Sequence, residues 1–279
     1  MRTLILGAGG QVGRALVTSL PDATALTRAE LDIAAAEAAE LDWSGYDVIV
    51  NAGAFTDVDG AETADGRVAA WRANALGPAA LARVADRHGL VLVHLSTEYV
   101  FDGSDPTPYA EDAPIAPLSS YGASKAAGDL AVAGTERHYL VRPTWLVGDG
   151  RNFVRTMAGL AARGIEPAVV ADQIGRPTFA PDLADAIVHL LRSQAPYGSY
   201  HVTGGGEPAS WADVARATYA AAGRGELRVR DTSTAEYFAG KPDAARRPLN
   251  SVLDCTKAEK TGIPLPDWRD RLPAYVAAG

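Results

Sequence analysis

The chain has 279 residues, of which 47% are hydrophobic and 22% charged, and its formal net charge is -8. This composition predicts a globular protein with a full-sized core, and the acidic balance argues against nucleic acid as the main partner. Cys255 is the sole cysteine, which excludes an intramolecular disulfide, and the five histidines lack ligand-like spacing, so we expect no metal. No apolar run reaches the ~20 residues of a membrane span, and we expect a cytoplasmic protein without membrane contact.

Short apolar runs alternate with helical patterns along the first half of the chain. The predicted strands are residues 4–6, 48–50, 90–95 and 139–141. The predicted helices are residues 12–20, 62–87 and 121–133. Because the strands are continuously apolar, helices should cover both of their faces. The pattern predicts an α/β fold with a Rossmann-like, doubly wound parallel sheet.

After about residue 150, prolines and glycines interrupt this alternation. One more strand is predicted at 199–202 and one capped helix from Ser210 to Ala222. We therefore predict a Rossmann domain over 1–150, which also takes in about 174–203, and a smaller, interleaved C-terminal lobe, mainly 151–279. This lobe should cover the C-terminal strand ends, where ligands of such sheets bind.

A glycine-rich turn follows the first predicted strand, with Gly7, Gly10 and Gly13 spaced as G-x-x-G-x-x-G. Glycines there permit a tight turn and close approach of the backbone to a pyrophosphate, and the following helix N-terminus offers free N–H groups. We predict that this loop, with Gln11 and Val12, binds NAD(P)H. A plain strand-to-helix turn is the alternative.

The second strand should end near Leu26-Thr27, where an acidic residue would bind the ribose of NADH. The sequence has Arg28 instead. A guanidinium there can pair with a 2′-phosphate, so NADPH is favoured over NADH. A solvated surface arginine is the other interpretation.

Tyr121-Gly122-Ala123-Ser124-Lys125 opens a predicted helix and places the tyrosine and the lysine on one face. The ammonium of Lys125 is expected to lower the pKa of Tyr121 from ~10 toward the working pH, which suits Tyr121 to acid–base catalysis. Lys125 can also bond the ribose of the cofactor. The same spacing recurs at 237–241, where a glycine and a proline argue against a helix, so we regard that copy as incidental.

A hydroxyl group lies upstream of this motif, at the end of a predicted strand. Thr97 follows the apolar run 90–95 and can bond a substrate carbonyl beside the phenol of Tyr121. The order of glycine loop, strand-end hydroxyl and Tyr-x-x-x-Lys predicts hydride transfer to a carbonyl.

Nine segments in family order connect the chain to known enzymes. They are residues 7–13 (GAGGQVG), 48–54 (VIVNAGA), 56–62 (TDVDGAE), 96–103 (STEYVFDG), 121–125 (YGASK), 142–145 (RPTW), 152–153 (NF), 172–178 (DQIGRPT) and 247–251 (RPLNS). Through them the chain resembles the dTDP-4-dehydrorhamnose reductase family of extended short-chain dehydrogenases. Segments 96–103 and 172–178 are specific to that group rather than to the fold.

The resemblance implies NAD(P)H-dependent reduction of the C4 keto group of a dTDP-4-dehydro-6-deoxyhexose, by a monomer or a homodimer. Thr97, Tyr121 and Lys125 match the catalytic positions. The positions that match the family's cofactor contacts are Asp32, Ile33, Ala52, Gly53 and Ala54. The positions that match its substrate side are Thr56, Val58, Glu98, Tyr99 and Trp145, with Asn152, Arg176 and Arg247 as candidates for the diphosphate.

Four positions near the sugar depart from the family pattern. The family usually has alanine, histidine or tyrosine, lysine and aspartate where this chain has Gly53, Phe55, Gly60 and Glu98. The exact 4-keto-deoxysugar therefore stays open, and a relative acting in antibiotic glycoside pathways is possible.

Two other functions share this fold. A sugar-nucleotide dehydratase or epimerase is the first; dehydratases need two adjacent carboxyl groups after the threonine, and Tyr99 fills the second place. A non-catalytic NAD(P)-binding protein, like the regulatory subunit of methionine adenosyltransferase, is the second. The presence of Tyr99, Trp145 and Arg247 beside the catalytic residues favours the reductase.

Overall fold

The computed structural model describes residues 1–39 and 41–278, and its elements alternate between strands and helices. The strands are β1 (Thr3–Leu6), β2 (Thr24–Leu26), β3 (Val48–Asn51), β4 (Val91–Leu95), β5 (His138–Arg142), β6 (Leu146–Val147), β7 (Ala168–Val170), β8 (Ile174–Gly175), β9 (Thr178–Phe179), β10 (Gly198–His201), β11 (Ala209–Ser210) and β12 (Arg230–Thr232). The α-helices are α1 (Gln11–Ser19), α2 (Ala64–Trp71), α3 (Gly77–His88), α4 (Ser120–Ala133), α5 (Phe153–Ala162), α6 (Ala180–Ser193), α7 (Trp211–Ala221), α8 (Thr234–Tyr237), α9 (Thr256–Lys260) and α10 (Trp268–Ala277). Short 3-10 turns cover Ile33–Ala38, Trp43–Gly45, Gly60–Glu62 and Glu98–Val100.

Six parallel strands form the central sheet in the order β2-β1-β3-β4-β5-β10. Strands β1, β3, β4 and β5 are buried along their whole length, as continuous apolar strands between two helical layers should be. The predicted α/β fold with a parallel, doubly wound sheet is confirmed. Because the strand order reverses between β1 and β3, a crevice opens at their carboxyl ends.

Two apolar layers hold the sheet between its helices. On one face, α1 and α6 bury Leu16, Leu183 and Ile187 against the strands. On the other face, α3 buries Leu81 and Val84. Each fully buried side chain of this size contributes about 1.5–3 kcal/mol, so both layers fix the strand ends that carry the site.

The helix predicted over 62–87 is interrupted. Between α2 and α3, residues Arg72–Leu76 form a π-helical segment. Pro78, in the first turn of α3, has no N–H to donate to the carbonyl of Asn74 four residues earlier, and its ring would crowd that carbonyl in a regular α-helix. The carbonyl oxygen of Asn74 lies against α4. A Cβ built on Gly128 would be only 2.1 Å from this oxygen, so the contact requires a glycine there.

The C-terminal half is divided between the sheet and a lobe. Strand β10 and helix α6 belong to the central sheet and its covering layer. The lobe is built around α5, α7 and α10, with β7 paired to β12 and β8 to β11. The boundaries at 150 and at 174–203 remain a prediction. Within residues 1–39 and 41–278, the helices are all too short or too polar to cross a bilayer.

Candidate functional site

A cavity of about 660 Å³ lies at the crevice between β1 and β3 and extends to the first turns of α4. Twelve of the thirteen residues predicted to contact the cofactor line it: Gly7, Gly10, Gln11, Val12, Arg28, Asp32, Ile33, Ala52, Gly53, Ala54, Tyr121 and Lys125. The thirteenth, Gly13, is buried within α1. Thr56, from the predicted substrate side, also lines this cavity.

The glycine loop leaves a cradle that larger residues would fill. Gly7 has φ +81°, and a Cβ on it would lie 2.5 Å from the backbone nitrogen of Gly53. A Cβ on Gly13 would lie 2.1 Å from the carbonyl oxygen of Gly7. The first turn of α1, from Gln11 to Arg14, contains no acidic residue, so its free N–H groups and positive dipole end remain available to phosphate oxygens. The residues present therefore fit a dinucleotide.

The far end of the cavity carries two arginines. Arg28 is exposed on the cavity lining, next to Asp32. Arg72, from the π-helical segment, donates to the Asp32 carboxylate at 2.8 Å, and this hydrogen bond holds the pKa of Asp32 below its usual value. No local sequence pattern marks Arg72, because only the fold brings it to this edge.

Helix α4 positions the tyrosine and the lysine. The hydroxyl of Ser119 accepts a hydrogen bond from the backbone N–H of Gly122 at 3.1 Å and caps the helix at its start. Tyr121 and Lys125 are both buried, one turn apart, and the Nζ atom of Lys125 donates to the carbonyl of Leu95 at 2.6 Å. Thr97 is buried just past the end of β4, and it is near enough to Tyr121 to lower the pKa of that phenol, against the larger effect of burial.

The pKa values differ from the sequence expectation. Burial raises the pKa of Tyr121, and the neighbouring charge of Glu98 raises it further, so the predicted lowering by Lys125 is wrong. Burial also lowers the pKa of Lys125 to about 8, against the opposing charge of Asp129. Both groups are removed from water, which disfavours phenolate and ammonium alike. Tyr121 is thus a neutral phenol, the form that gives a proton.

Glu98 is a buried carboxyl group beside the strand-end threonine. Only 4% of the residue is exposed, and burial raises its pKa to about 7. Its Oε2 accepts a hydrogen bond from Oγ1 of Thr97 at 2.8 Å. The hydroxyl predicted to polarise a substrate carbonyl therefore directs its proton to Glu98 whenever that carboxyl is ionised.

Aromatic and apolar residues form the sugar side of the site. The rings of Tyr99 and Tyr121 meet edge to face at 5.4 Å, and Val58 packs against the same cluster. Trp145 has φ +43° and stacks on Trp211 at 3.6 Å. A non-glycine residue in this region stores strain, and such strain gathers at functional sites. Trp211, the first residue of α7, is therefore the packing partner of Trp145.

The three residues predicted for the diphosphate have partners within the protein. Arg247, whose side chain is 17% exposed, donates to Asp59 at 2.8 Å and lies over the ring of Phe238 at 4.6 Å. Arg176 donates to the carbonyl of Gly206 at 2.9 Å. Asn152 caps α5, and its amide donates to the carbonyl of Gly148 at 2.7 Å and to the hydroxyl of Tyr275 at 2.7 Å. Their role toward a diphosphate remains a prediction.

One further buried side chain fixes the loop after β3. The carboxamide of Asn74 accepts from the backbone N–H of Phe55 at 2.8 Å, donates to its carbonyl at 3.0 Å and donates to Ser124 at 3.1 Å. It joins the loop over the cavity to α4. In the described part of the chain, no three His, Cys, Asp or Glu side chains come together as a metal site would need.

Comparison with known proteins gives matches along the whole chain. The family model described as RmlD substrate binding domain matches residues 1–279. A dTDP-4-dehydrorhamnose reductase of Sinorhizobium fredii is 40% identical over 296 residues, 100% of this chain and 97% of that protein. A probable dTDP-4,6-dihydroxy-2-methyloxan-3-one 4-ketoreductase of Streptomyces antibioticus is 42% identical over 284 residues, 98% of this chain and 93% of that protein. The crystal structure of a dTDP-4-dehydrorhamnose reductase from Bacillus anthracis in complex with NADP has a TM-score of 0.86 and 34% identity, covering 100% of this chain and 98% of that one.

Proposed function

The chain belongs to the dTDP-4-dehydrorhamnose reductase family, and we propose on that premise that it reduces the C4 keto group of a dTDP-4-dehydro-6-deoxyhexose with NADPH. The family predicted from the sequence is thereby confirmed. The observation that carries the proposal is that Tyr121 and Lys125, one helical turn apart and buried, line the same cavity as the glycine loop. The bound cofactor supplies the hydride.

The three side chains have complementary roles. Tyr121, a neutral phenol, gives its proton to the oxygen at C4 as negative charge develops there. Thr97 donates a hydrogen bond to the same oxygen when Glu98 is protonated and does not compete for that proton. Lys125 is held in place by its hydrogen bond to the Leu95 carbonyl and can also bond the ribose of the cofactor.

NADPH is the preferred cofactor in this proposal. The Bacillus anthracis relative was crystallised with NADP. In this chain, Arg28 and Arg72 lie at the cavity end opposite Tyr121, and an acidic ribose ligand is missing directly after β2. Guanidinium groups suit the geometry and charge of a 2′-phosphate.

The dTDP moiety anchors the substrate. An acidic protein repels a diphosphate unless cations converge locally, and Arg247 lies close enough to Tyr99 to affect its pKa. The diphosphate replaces Asp59 as the partner of Arg247. Binding energy gathered there positions the ketone for hydride transfer. Tyr99 in place of a second carboxyl group argues against dehydration.

The test is a steady-state assay with dTDP-4-keto-6-deoxysugars and the corresponding free sugars. We expect kcat/KM to be far higher for the dTDP forms, and Arg247→Ala to raise their KM at least tenfold while the Kd for NADPH is unchanged. The matched control is Arg192→Ala, which removes an exposed arginine in the last turn of α6, at the opposite edge of the sheet. Equal kcat/KM values for free and dTDP-linked sugars would refute the nucleotide-sugar assignment.

A further inference from the structure

A buried histidine stands beside the catalytic lysine and has no part in the mechanism above. His94 lies on β4 and is 0% exposed. Its Nε2 atom is 3.5 Å from Nζ of Lys125, and its Nδ1 atom is 3.0 Å from Nδ2 of Asn51 on the neighbouring strand β3. The ring therefore connects Asn51, at the carboxyl end of β3, to Lys125 at the catalytic end of the cavity.

The hydrogen bonds determine which ring nitrogen carries the proton. The backbone N–H of Gly53 donates to Oδ1 of Asn51 at 3.1 Å, so the other end of that carboxamide is the NH₂ group. This NH₂ donates to Nδ1 of His94, which must accept. Burial, and then the charge of Lys125, lowers the pKa of His94, so the ring is neutral. A neutral ring that accepts at Nδ1 carries its hydrogen on Nε2.

The Nε2–H group of His94 therefore faces Nζ of Lys125. An ammonium group has three donors and no acceptor, so it cannot form a hydrogen bond with this N–H. A neutral amine has a lone pair and can accept one. The carbonyl of Leu95, 2.6 Å from Nζ, keeps the lysine in place in both states. The arrangement favours the amine over the ammonium.

We propose that His94, held as its Nε2–H tautomer by Asn51, is a positioning residue that prepares Lys125 to release a proton to Tyr121. This inference rests on the proposed reductase function. After Tyr121 has given its proton to the oxygen at C4, an N–H bond of Lys125 breaks, and the proton passes through the cavity that both side chains line to form the O–H bond of Tyr121 again. The amine left behind accepts the hydrogen bond of His94 and then regains a proton from solvent; no electrons are exchanged in this step.

Other charged and titratable groups act on Lys125 or on its neighbours Tyr121 and Asp129, and they set the background against which His94 acts. The groups on α4, β5 and the turn after β4 are Tyr121, Asp129, Arg142 and Glu98. Asp129 opposes the effect of His94 because its charge raises the pKa of Lys125. Arg142 pairs with Asp129 at 2.9 Å, and its positive charge partly offsets the charge of that carboxylate.

The first test needs no cofactor and no turnover. The chain has four lysines and five histidines, so the NMR signals of Lys125 and His94 can be assigned by loss in Lys125→Met and His94→Asn. We expect the nitrogen shifts of His94 to show the Nε2–H tautomer between pH 6 and 9, and the side-chain carbon of Lys125 to titrate near pH 8. A His94 signal with the proton on Nδ1, or an imidazolium at pH 7, would overturn the proposal.

The second test uses a variant that keeps the hydrogen bond to Asn51 and removes the contact with Lys125. In His94→Asn, the shorter amide can still accept from Asn51 but cannot reach Lys125. We expect the pKa of Lys125 to rise by about one unit and kcat to fall about tenfold. In a Glu98→Gln background, which weakens the decline caused by ionised Glu98, the alkaline limb of the kcat profile should move up with the Lys125 pKa. His138→Asn is the matched control on β5, because its amide can still donate to the Thr135 carbonyl as the ring does at 2.6 Å.

The outcomes separate this inference from the reductase proposal. If wild-type protein reduces a dTDP-4-keto sugar and His94→Asn leaves both the Lys125 pKa and the pH profile unchanged, the inference is wrong and the reductase function stands. If the wild type does not reduce such a sugar, the reductase proposal fails, and the tautomer and titration of the cofactor-free protein still decide the role of His94. If His94→Asn does not fold, the wild-type tautomer decides alone.

Discussion

Replacing Glu98 by glutamine tests the electrostatics of the site in a quantity that does not depend on the substrate. The carboxyl group is buried next to Thr97, and its pKa in the folded protein is about 7, against 4.5 for the free group. The folded state therefore binds more protons than the unfolded state between these two values. The contribution of Glu98 to the free energy of unfolding is greatest below pH 4.5 and is lost as the pH rises through 7.

The size of this effect follows from the two pKa values. Each pH unit between them corresponds to about 1.4 kcal/mol, so the full loss is about 3 kcal/mol, of which about 2.5 kcal/mol falls between pH 5 and pH 8. Glutamine keeps the shape and accepts the bond from Thr97 without a charge. We expect the free energy of unfolding of Glu98→Gln to lack this pH-dependent loss, which makes the variant more stable than wild type at pH 8.

Urea unfolding at pH 5 and pH 8 measures the difference directly. Glu226→Gln is the control, because that carboxyl group is exposed and paired with Arg224, and its replacement should leave the change from pH 5 to pH 8 as in wild type. In the activity assay, wild-type kcat should decline as the pH passes 7, since ionised Glu98 takes the proton of Thr97, and the decline should be weaker in Glu98→Gln. Parallel stability curves for wild type and Glu98→Gln would refute this account of Glu98.

Two further predictions concern the ends of the cavity. Tyr121→Phe should fold and bind NADPH, but its kcat should be lower by ~10² or more because the proton donor is gone. Stopped-flow measurement of turnover tests this, and a kcat near that of wild type would remove Tyr121 from the mechanism. Arg28→Ala should weaken NADPH binding by about 1–2 kcal/mol, since the phosphate contact is exposed and charge-assisted, and should leave NADH binding unchanged. Titration with both cofactors tests this. An unchanged ratio of the Kd values for NADPH and NADH would show that Arg28 does not bind the 2′-phosphate.

Local signals in the sequence predicted the frame of the molecule and the catalytic end of the site. The glycine spacing of the first turn and the Tyr-x-x-x-Lys at a helix start depend on residues a few positions apart. The same holds for the capped helix of the lobe, where Ser210 and Asp213 form a capping box. The residues of such a pattern are close together in the sequence, so their relative positions can be predicted without knowledge of the tertiary structure.

Contacts between distant segments could not be predicted in this way. Arg247 and Asp59 are 188 positions apart, and His94 meets Asn51 only through the register of β3 and β4. The pKa of Tyr121 was predicted in the wrong direction because burial, which the sequence does not display, outweighs the nearby lysine. The π-helical segment did leave a signal, since Pro78 lies inside the predicted helix.

The most direct test of the central claim follows the hydride itself. Wild-type protein is incubated with a dTDP-4-keto-6-deoxyhexose and NADPH carrying deuterium at the transferred position of the nicotinamide, and the product is analysed by NMR. We expect one deuterium, bonded to C4 of a dTDP-6-deoxyhexose, and its loss in Tyr121→Phe. Deuterium at another ring carbon, or a product that carries none while NADPH is consumed, would contradict this expectation.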